Sequence, residues 1–383
     1  MEYSSEQFRP DVALERFIEK MTVLRERTCE KIPYTTKDGV YDDNSTLAKE
    51  KSFGIGWWTN GFWAGMMWLL YHETGDSRYA EIARFSGEQL DVCFDNFYTL
   101  DHDVGFIYQP TAVADYRLTG SADGRRRGLH AATILAGRLN PAGGLIRAWN
   151  DWGDGRDTTG WAIIDCMMNL NLLYWASEEL KDPRFRQVAM LHADTAMSAF
   201  VRPDGSVNHI VSFDPETGEL LTSLGGQGYG EGSSWTRGQA WGLYGFALSF
   251  AHTKKQAYLD TAKRIAHYFI SNIPEDGRIP VDFRAPSEPY YEDATAAAIA
   301  SCGLLEIAEH VPQLEAAMYR TAAVKLLKTL DAQDCDYDPR TDGILRNCTA
   351  AYHDAVHEFH IVYGDYFYLE ALLKLKGSDF KMW

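Results

Sequence analysis

The chain has 383 residues, of which 45% are apolar and 13% aromatic, so it can bury a large core. Its 54 acidic against 37 basic residues leave a net charge of −17, which excludes nucleic acid and anionic membrane as partners, since both reward a basic surface. No apolar run is long enough to cross a bilayer, the first nine residues are too polar for a secretory signal, and six scattered cysteines without a C-x-x-C pair fit reduced thiols in a cytoplasm.

Residues 1–50 read as an N-terminal helix and loop. From there one pattern recurs: an apolar stretch with helical spacing, a short polar turn, then an amphipathic stretch. Gly61 to Glu73 turns at Thr74-Gly75-Asp76 into Arg78 to Phe85, and a weaker copy covers Tyr108 to Leu139. Asp165 to Glu179 turns at Lys181-Asp182-Pro183 into Arg184 to Phe200. Gly238 to His252 leads into Tyr258 to Tyr268, Thr295 to Glu309 into Leu314 to Leu327, and Gly364 to Leu375 opens a last copy. The first helix of each pair is apolar nearly all round, hence an inner helix; the second carries one charged face, hence an outer one. Strand-like alternation is confined to short pieces such as Ser206 to Phe213. About six hairpins that cannot bury their own faces predict an all-α closed ring forming one domain over 1–383, with an open solenoid as the alternative. The long links from outer to inner helices carry the unusual residues and are expected to gather at the mouth of the ring.

Two aspartates stand out by context. Asp103 lies in the polar turn Leu100-Asp101-His102-Asp103-Val104-Gly105-Phe106; Asp165 is a lone charge in Ile163-Ile164-Asp165-Cys166-Met167-Met168-Asn169-Leu170. A carboxyl in apolar surroundings is either paired or raised in pKa, and a raised carboxyl is a general acid. The competing readings are a helix N-cap for Asp165 and an ordinary turn aspartate for Asp103. The run Gly226-Gln227-Gly228-Tyr229-Gly230-Glu231-Gly232-Ser233-Ser234-Trp235-Thr236-Arg237-Gly238-Gln239-Ala240-Trp241 joins glycines, an arginine able to fork onto a carboxylate, and two tryptophans suited to sugar faces. For Arg237 a structural ion pair, and for Trp241 core packing, are the competing readings. His353, His357 and His360 have spacing that admits a metal but match no zincin pattern, so they are read as surface or substrate-loop histidines and no metal is expected.

These segments, with Trp58-Thr59-Asn60-Gly61-Phe62-Trp63, Ser301-Cys302-Gly303-Leu304-Leu305-Glu306-Ile307 and Gly364-Asp365-Tyr366-Phe367-Tyr368-Leu369-Glu370, resemble the unsaturated glucuronyl hydrolases of glycoside hydrolase family 88, in order and over most of the chain. The resemblance implies an (α/α)6 barrel and an unusual reaction: hydration of the C4=C5 double bond that polysaccharide lyases leave on a terminal uronate. Water at C5 gives a hemiketal whose collapse releases the neighbouring sugar. The resemblance implies Asp165 as general acid/base and Asp103 as the second catalytic carboxyl, with no cofactor. It further implies a substrate pocket of Trp58, Phe62, His102, Trp149, His209, Ser223, Gly225, Gln227, Trp235, Arg237 and Trp241, with Arg237 near the substrate carboxylate or, as the alternative, against the neighbouring sugar.

The expected partner is a small acidic oligosaccharide, and the expected state a monomer or weak homo-oligomer. Members that prefer sulfated fragments carry serine and lysine shortly before the final inner helix; here Asn347-Cys348-Thr349-Ala350-Ala351-Tyr352-His353-Asp354 has no lysine, so sulfate preference is not expected. The alternatives are an unsaturated rhamnogalacturonyl hydrolase acting on pectin fragments and a non-catalytic sugar-binding toroid.

Overall fold

A computed structural model describes residues 8–45, 54–95, 100–151 and 153–383. Along the chain run α1 (Pro10–Thr28), α2 (Asn60–Thr74), α3 (Ser77–Gln89), α4 (Val92–Asp95), α5 (Val104–Tyr108), α6 (Ala114–Thr119), α7 (Ala122–Ala136), α8 (Cys166–Leu180) and α9 (Pro183–Ala199). They are followed by α10 (Thr236–Thr253), α11 (Gln256–Ser271), α12 (Ala294–Glu309), α13 (Gln313–Thr329) and α14 (Val362–Lys376). α5 and α6 are one rod joined by a π-helical turn, Gln109–Val113, where Pro110 lacks the N–H that a regular ladder needs.

The inner helices pack in a closed circuit: α2 on α5, α5 on α8, α8 on α10, α10 on α12, α12 on α14, and α14 back on α2. Their sequences explain this. Every residue from Asn60 to Leu70 is buried, as is every residue from Ala294 to Ala308, so neither helix has a face to offer to water. The outer helices α3, α7, α9, α11 and α13 bury one stripe each. The sixth outer helix comes from the chain start: α1 packs on α14, so the last hairpin is completed by the first helix. Of the segment read as an N-terminal helix and loop, 1–7 and 46–50 lie outside the described residues.

The hairpin turns are chemically specified. Asp76 accepts from the Arg78 N–H at the start of α3, Asp182 does the same for Arg184 before α9, and Ser121 caps α7. The carboxyl-terminal Trp383 plugs the ring, stacked on Phe367 and donating its indole N–H to Glu370.

Among the described residues two short hairpins and one small sheet decorate the ring: β1 (Thr36–Lys37) with β2 (Val40–Tyr41), β3 (Leu139–Asn140) with β4 (Leu145–Ile146), and an antiparallel sheet of β5 (Trp161–Ile163), β6 (Ile210–Phe213) and β7 (Leu220–Leu224). The last sheet matters most. Ile163 pairs with Ile210, and the Ile164 N–H donates to the His209 carbonyl, so the residues that follow β5 and precede β6 are held side by side.

Candidate active site

Asp165 follows β5 and sits at the N-terminus of α8, in the position of a helix cap, but its side chain makes no capping bond. Its Oδ1 is sealed from solvent and has no hydrogen-bond partner among the described residues. Burial, reinforced by the nearby Asp103 charge, pushes the Asp165 carboxyl up to about 7, against the opposing pull of His102 and Arg237. The N-cap reading therefore fails, and a buried acid with a raised pKa stands in its place.

Asp103 occupies the N-cap position of α5, across from Asp165, and its side chain likewise makes no capping bond. Its Oδ1 accepts from Asn169 Nδ2 at 2.9 Å and lies 3.2 Å from His102 Nε2. Burial first, then Asp101, raises its pKa well above the usual carboxylate range. Asp103 in turn raises Asp165, so this pair of buried carboxyls holds protons more tightly than isolated aspartates do.

His102 Nδ1 donates to the Ala148 carbonyl at 2.8 Å, so Nε2 presents a lone pair toward Asp103. Burial holds its pKa down. Asp101, His102 and Asp103 each bring a donor atom within 4.8 Å of the others. They do not form a convergent metal site, because Asp101 stands on the Nδ1 edge at 3.7 Å and Asp103 on the Nε2 edge. The three C-terminal histidines do not converge either: His353 and His357 bond the carbonyls of Tyr229 and Tyr352, while His360 lies beside Gly343.

The predicted sugar-facing residues divide into two groups. Trp58 and Trp149 are half-buried, with Trp149 edge-on to His102 at 5.8 Å, and Trp235 packs on His209 at 4.2 Å. Ser223 and Gly225 follow at the end of β7, where Ser223 pairs with Val211. Phe62, Trp235 and Trp241 correct the expectation that they line the pocket. All three are buried: Phe62 and Trp241 pack with Phe106 and Phe367 in the ring's aromatic core, and Trp235 packs against His209, so they support the site from beneath.

Arg237 is the second correction. Its guanidinium is buried and committed: Nη1 bonds Asp293 at 2.6 Å and the Thr349 carbonyl at 2.7 Å, and Nη2 bonds the Ala350 carbonyl. An arginine so engaged is a structural ion pair that fixes the 349–350 segment, and it offers no open fork to a substrate carboxylate. Gln227 grips the same segment, with Nε2 on the Ala350 carbonyl at 2.8 Å while its own carbonyl accepts from Tyr352. Beside this junction a cavity of about 450 Å³ opens, lined in part by Tyr229, Tyr291, Tyr352, His353 and His357.

Two further residues escaped the sequence reading. Asn169 holds Asp103, and Asp282 organises the glycine-rich loop by accepting from the N–H groups of Tyr229, Ser234 and Arg284. Asn169 was visible as an amide four residues after Asp165 on an all-buried helix; nothing in sequence tied Asp282 to a loop fifty residues earlier.

The profile of Glycosyl Hydrolase Family 88 matches residues 25–276. The chain belongs to glycoside hydrolase family 88. It is 39% identical over 334 residues to the unsaturated glucuronyl hydrolase of Bacillus sp. (strain GL1), covering 85% of this chain and 88% of that one. It is 34% identical over 328 residues to the unsaturated chondroitin disaccharide hydrolase of Streptococcus pyogenes serotype M1, covering 83% and 80%. The crystal structure of the Bacillus glucuronyl hydrolase superposes with a TM-score of 0.89 at 35% identity over 96% of this chain and 97% of that one. Family 88 membership and this superposition fit the (α/α)6 ring. Among the described residues no helix is long and apolar enough to cross a membrane.

Proposed function

We propose that this family 88 glycosidase removes a 4,5-unsaturated uronic acid from the non-reducing end of lyase-generated oligosaccharides, hydrating the C4=C5 bond. The observation that carries this reading is Asp165: a buried carboxyl with a pKa of about 7, freed from any capping role and facing a second carboxyl. Such a group gives a proton to C4 near neutral pH. Positive charge then develops at C5 and the ring oxygen. Water adds to C5 and passes a proton back to the Asp165 carboxylate, which restores the acid. The hemiketal opens to a C5 ketone, and the hemiacetal left at C1 expels the neighbouring sugar. Asp103, fixed by Asn169, holds the substrate and supports the developing charge. The chain's own side chains suffice for these proton transfers, so the reading includes no metal or organic cofactor.

The acceptor sugar we favour is unsulfated, as in glycosaminoglycan-type disaccharides lacking sulfate. The 347–354 segment has no lysine, and its Thr349 and Ala350 carbonyls point to Arg237. The reading places the whole chain as one catalytic unit in the cytoplasm, as a monomer or weak homo-oligomer. Incubation with unsaturated disaccharides from chondroitin, hyaluronan and heparin, with and without sulfate, tests it by loss of the conjugated double-bond absorbance. An inactive wild-type protein, or a fully active Asp165→Asn variant, removes the assignment.

A further inference from the structure

Two orphan polar atoms face each other inside the site. Asp165 Oδ1 and His209 Nε2 are both sealed from solvent, neither has a hydrogen-bond partner among the described residues, and they stand 3.8 Å apart. That is too long for a hydrogen bond, yet no ordinary packing requirement brings two unpaired polar groups together.

The opposite edge of the ring fixes what His209 presents. The Gln227 backbone N–H donates to His209 Nδ1 at 2.9 Å, an arrangement that puts the lone pair on Nδ1 and the hydrogen on Nε2 in competition with the Gly225 carbonyl, which favours a protonated Nδ1. The ring stays neutral: burial and the Arg237 charge push its pKa down to about 3, outweighing the Gly225 carbonyl that favours the charged form. This contact depends on Gly226. Its φ of +58° suits glycine, and a Cβ there would lie 2.0 Å from His209 Nδ1. Trp235 covers one face of the imidazole, and β6 anchors its backbone beside Asp165.

We infer that His209 is a positioning residue: a neutral imidazole, locked in its Nε2–H tautomer by the Gln227 amide, that donates to Asp165 Oδ1 once Asp165 has given up its proton. The inference rests on the hydration chemistry proposed above. While Asp165 is protonated, its proton belongs on Oδ2, because Oδ1 faces an N–H. When that proton forms the C4–H bond, the new carboxylate gains a donor already aimed at it, and the 3.8 Å gap closes. Proton return from the water that bonds C5 restores the resting pair. The other charged or titratable groups facing Asp165 are Asp103 and His102 from the turn before α5, Arg237 from α10 and the adjacent Cys166 of α8. His209 alone among them meets Oδ1 with an unpaired N–H. Because Gln227 also bonds Ala350 and Tyr352, the 350–352 segment is mechanically joined to the tautomer lock.

Steady-state kinetics on an unsaturated chondroitin disaccharide, from about pH 5 to 9, tests this with His209→Ala, His209→Gln and Gly226→Ala. The expected loss for His209→Ala is on the order of 100-fold in kcat with KM within about threefold, as for removal of one preorganised donor. The basic limb of the profile should move to higher pH, since the carboxylate has lost its donor. His209→Gln, which can place an amide N–H near the Nε2 position, should recover about tenfold of the kcat. Gly226→Ala should repeat the kcat-weighted loss, with thermal melting confirming the fold. A rise in KM alone, with kcat and the basic limb unmoved in His209→Ala, overturns the inference. ¹⁵N NMR of the ring decides the tautomer independently of turnover: a protonated Nδ1 overturns it, whereas an inactive wild-type protein overturns only the functional reading.

Discussion

Asn169 stands one helical turn beyond Asp165 on α8, and its amide is bonded across the ring: Nδ2 donates to Asp103 Oδ1 at 2.9 Å while Oδ1 accepts the Phe106 N–H at 2.7 Å. One inner helix thus carries one buried carboxyl and the clamp for the other. Gly105 makes the approach possible, since a Cβ there would sit 2.6 Å from Asn169. Asn169→Ala should release Asp103 and lower kcat/KM by about 10- to 100-fold, the worth of a buried hydrogen bond to a charged or reacting group. Asn169→Asp should cost more, because an ionised carboxylate cannot donate and sets a third carboxyl beside Asp103 and Asp165. Kinetics of both variants, set beside their melting temperatures, check this.

The ring was legible because its inner helices are apolar on every side, a signal that survives without any tertiary information. Asp165 was legible as a charge inside such a run. Arg237 was misjudged because its partners, Asp293 and the carbonyls of Thr349 and Ala350, lie 56 to 113 positions away in the chain, and an unpaired arginine looks the same in sequence as a paired one. The closure of the last hairpin by α1 was hidden for a similar reason: contact between the first and last helices leaves no local pattern. The burial of Trp235 and Trp241, suited by type to sugar faces, and of Phe62 is not legible in sequence, since aromatic type does not reveal which face of an element points into the core.

Asp165 should make the protein pay in stability for its chemistry. Its folded pKa of about 7 exceeds the ordinary 3.8, so the folded state holds the proton more tightly than the unfolded chain. Stability therefore falls as pH rises from about 4 to 7, and the full penalty, about 4 kcal/mol, is present above pH 7. Asp165→Asn should be inactive yet melt higher than wild type at about pH 8, and the difference should vanish near pH 4. In wild type, kcat/KM should decline through about pH 7 on the basic side as the acid is lost. Melting curves at the two pH values and a pH–rate profile decide both points; an Asn variant no more stable at high pH would mean that Asp165 is not desolvated.

Arg237→Lys and Arg237→Gln should both loosen the mouth. Lysine keeps the charge and loses the fork that spans Asp293 and two carbonyls. Glutamine also strands the buried Asp293 carboxylate, a loss of about 3–5 kcal/mol. Hydrogen exchange should report faster opening of the 347–352 segment in both, and KM should rise while kcat falls, since Gln227 is held by the same segment. Protection unchanged from wild type would restore Arg237 as a substrate-facing group.

Far from the site, Glu306 of α12 is buried among Lys374 at 2.7 Å, His310 at 3.0 Å and Lys381. Burial alone would raise its pKa; the Lys374 charge, with the His310 and Lys381 contacts, overcomes that and holds it far below the usual carboxylate range. A depressed carboxylate stabilises the fold above its unfolded pKa near 4.5 and loses that contribution as pH falls below it. Glu306→Gln leaves Lys374 inside the ring with only Glu370 to offset it, and should cost about 3–5 kcal/mol at neutral pH. The cost should shrink as pH drops under about 4, where the unfolded wild-type chain takes up a proton at Glu306 that the folded protein still excludes. Adding Lys374→Met should return part of the stability, because the pair is coupled and the uncompensated cation is then gone. Chemical denaturation of the two single variants and the double variant at both pH values measures the coupling. Simple additivity would show that α12 and α14 are held by packing alone.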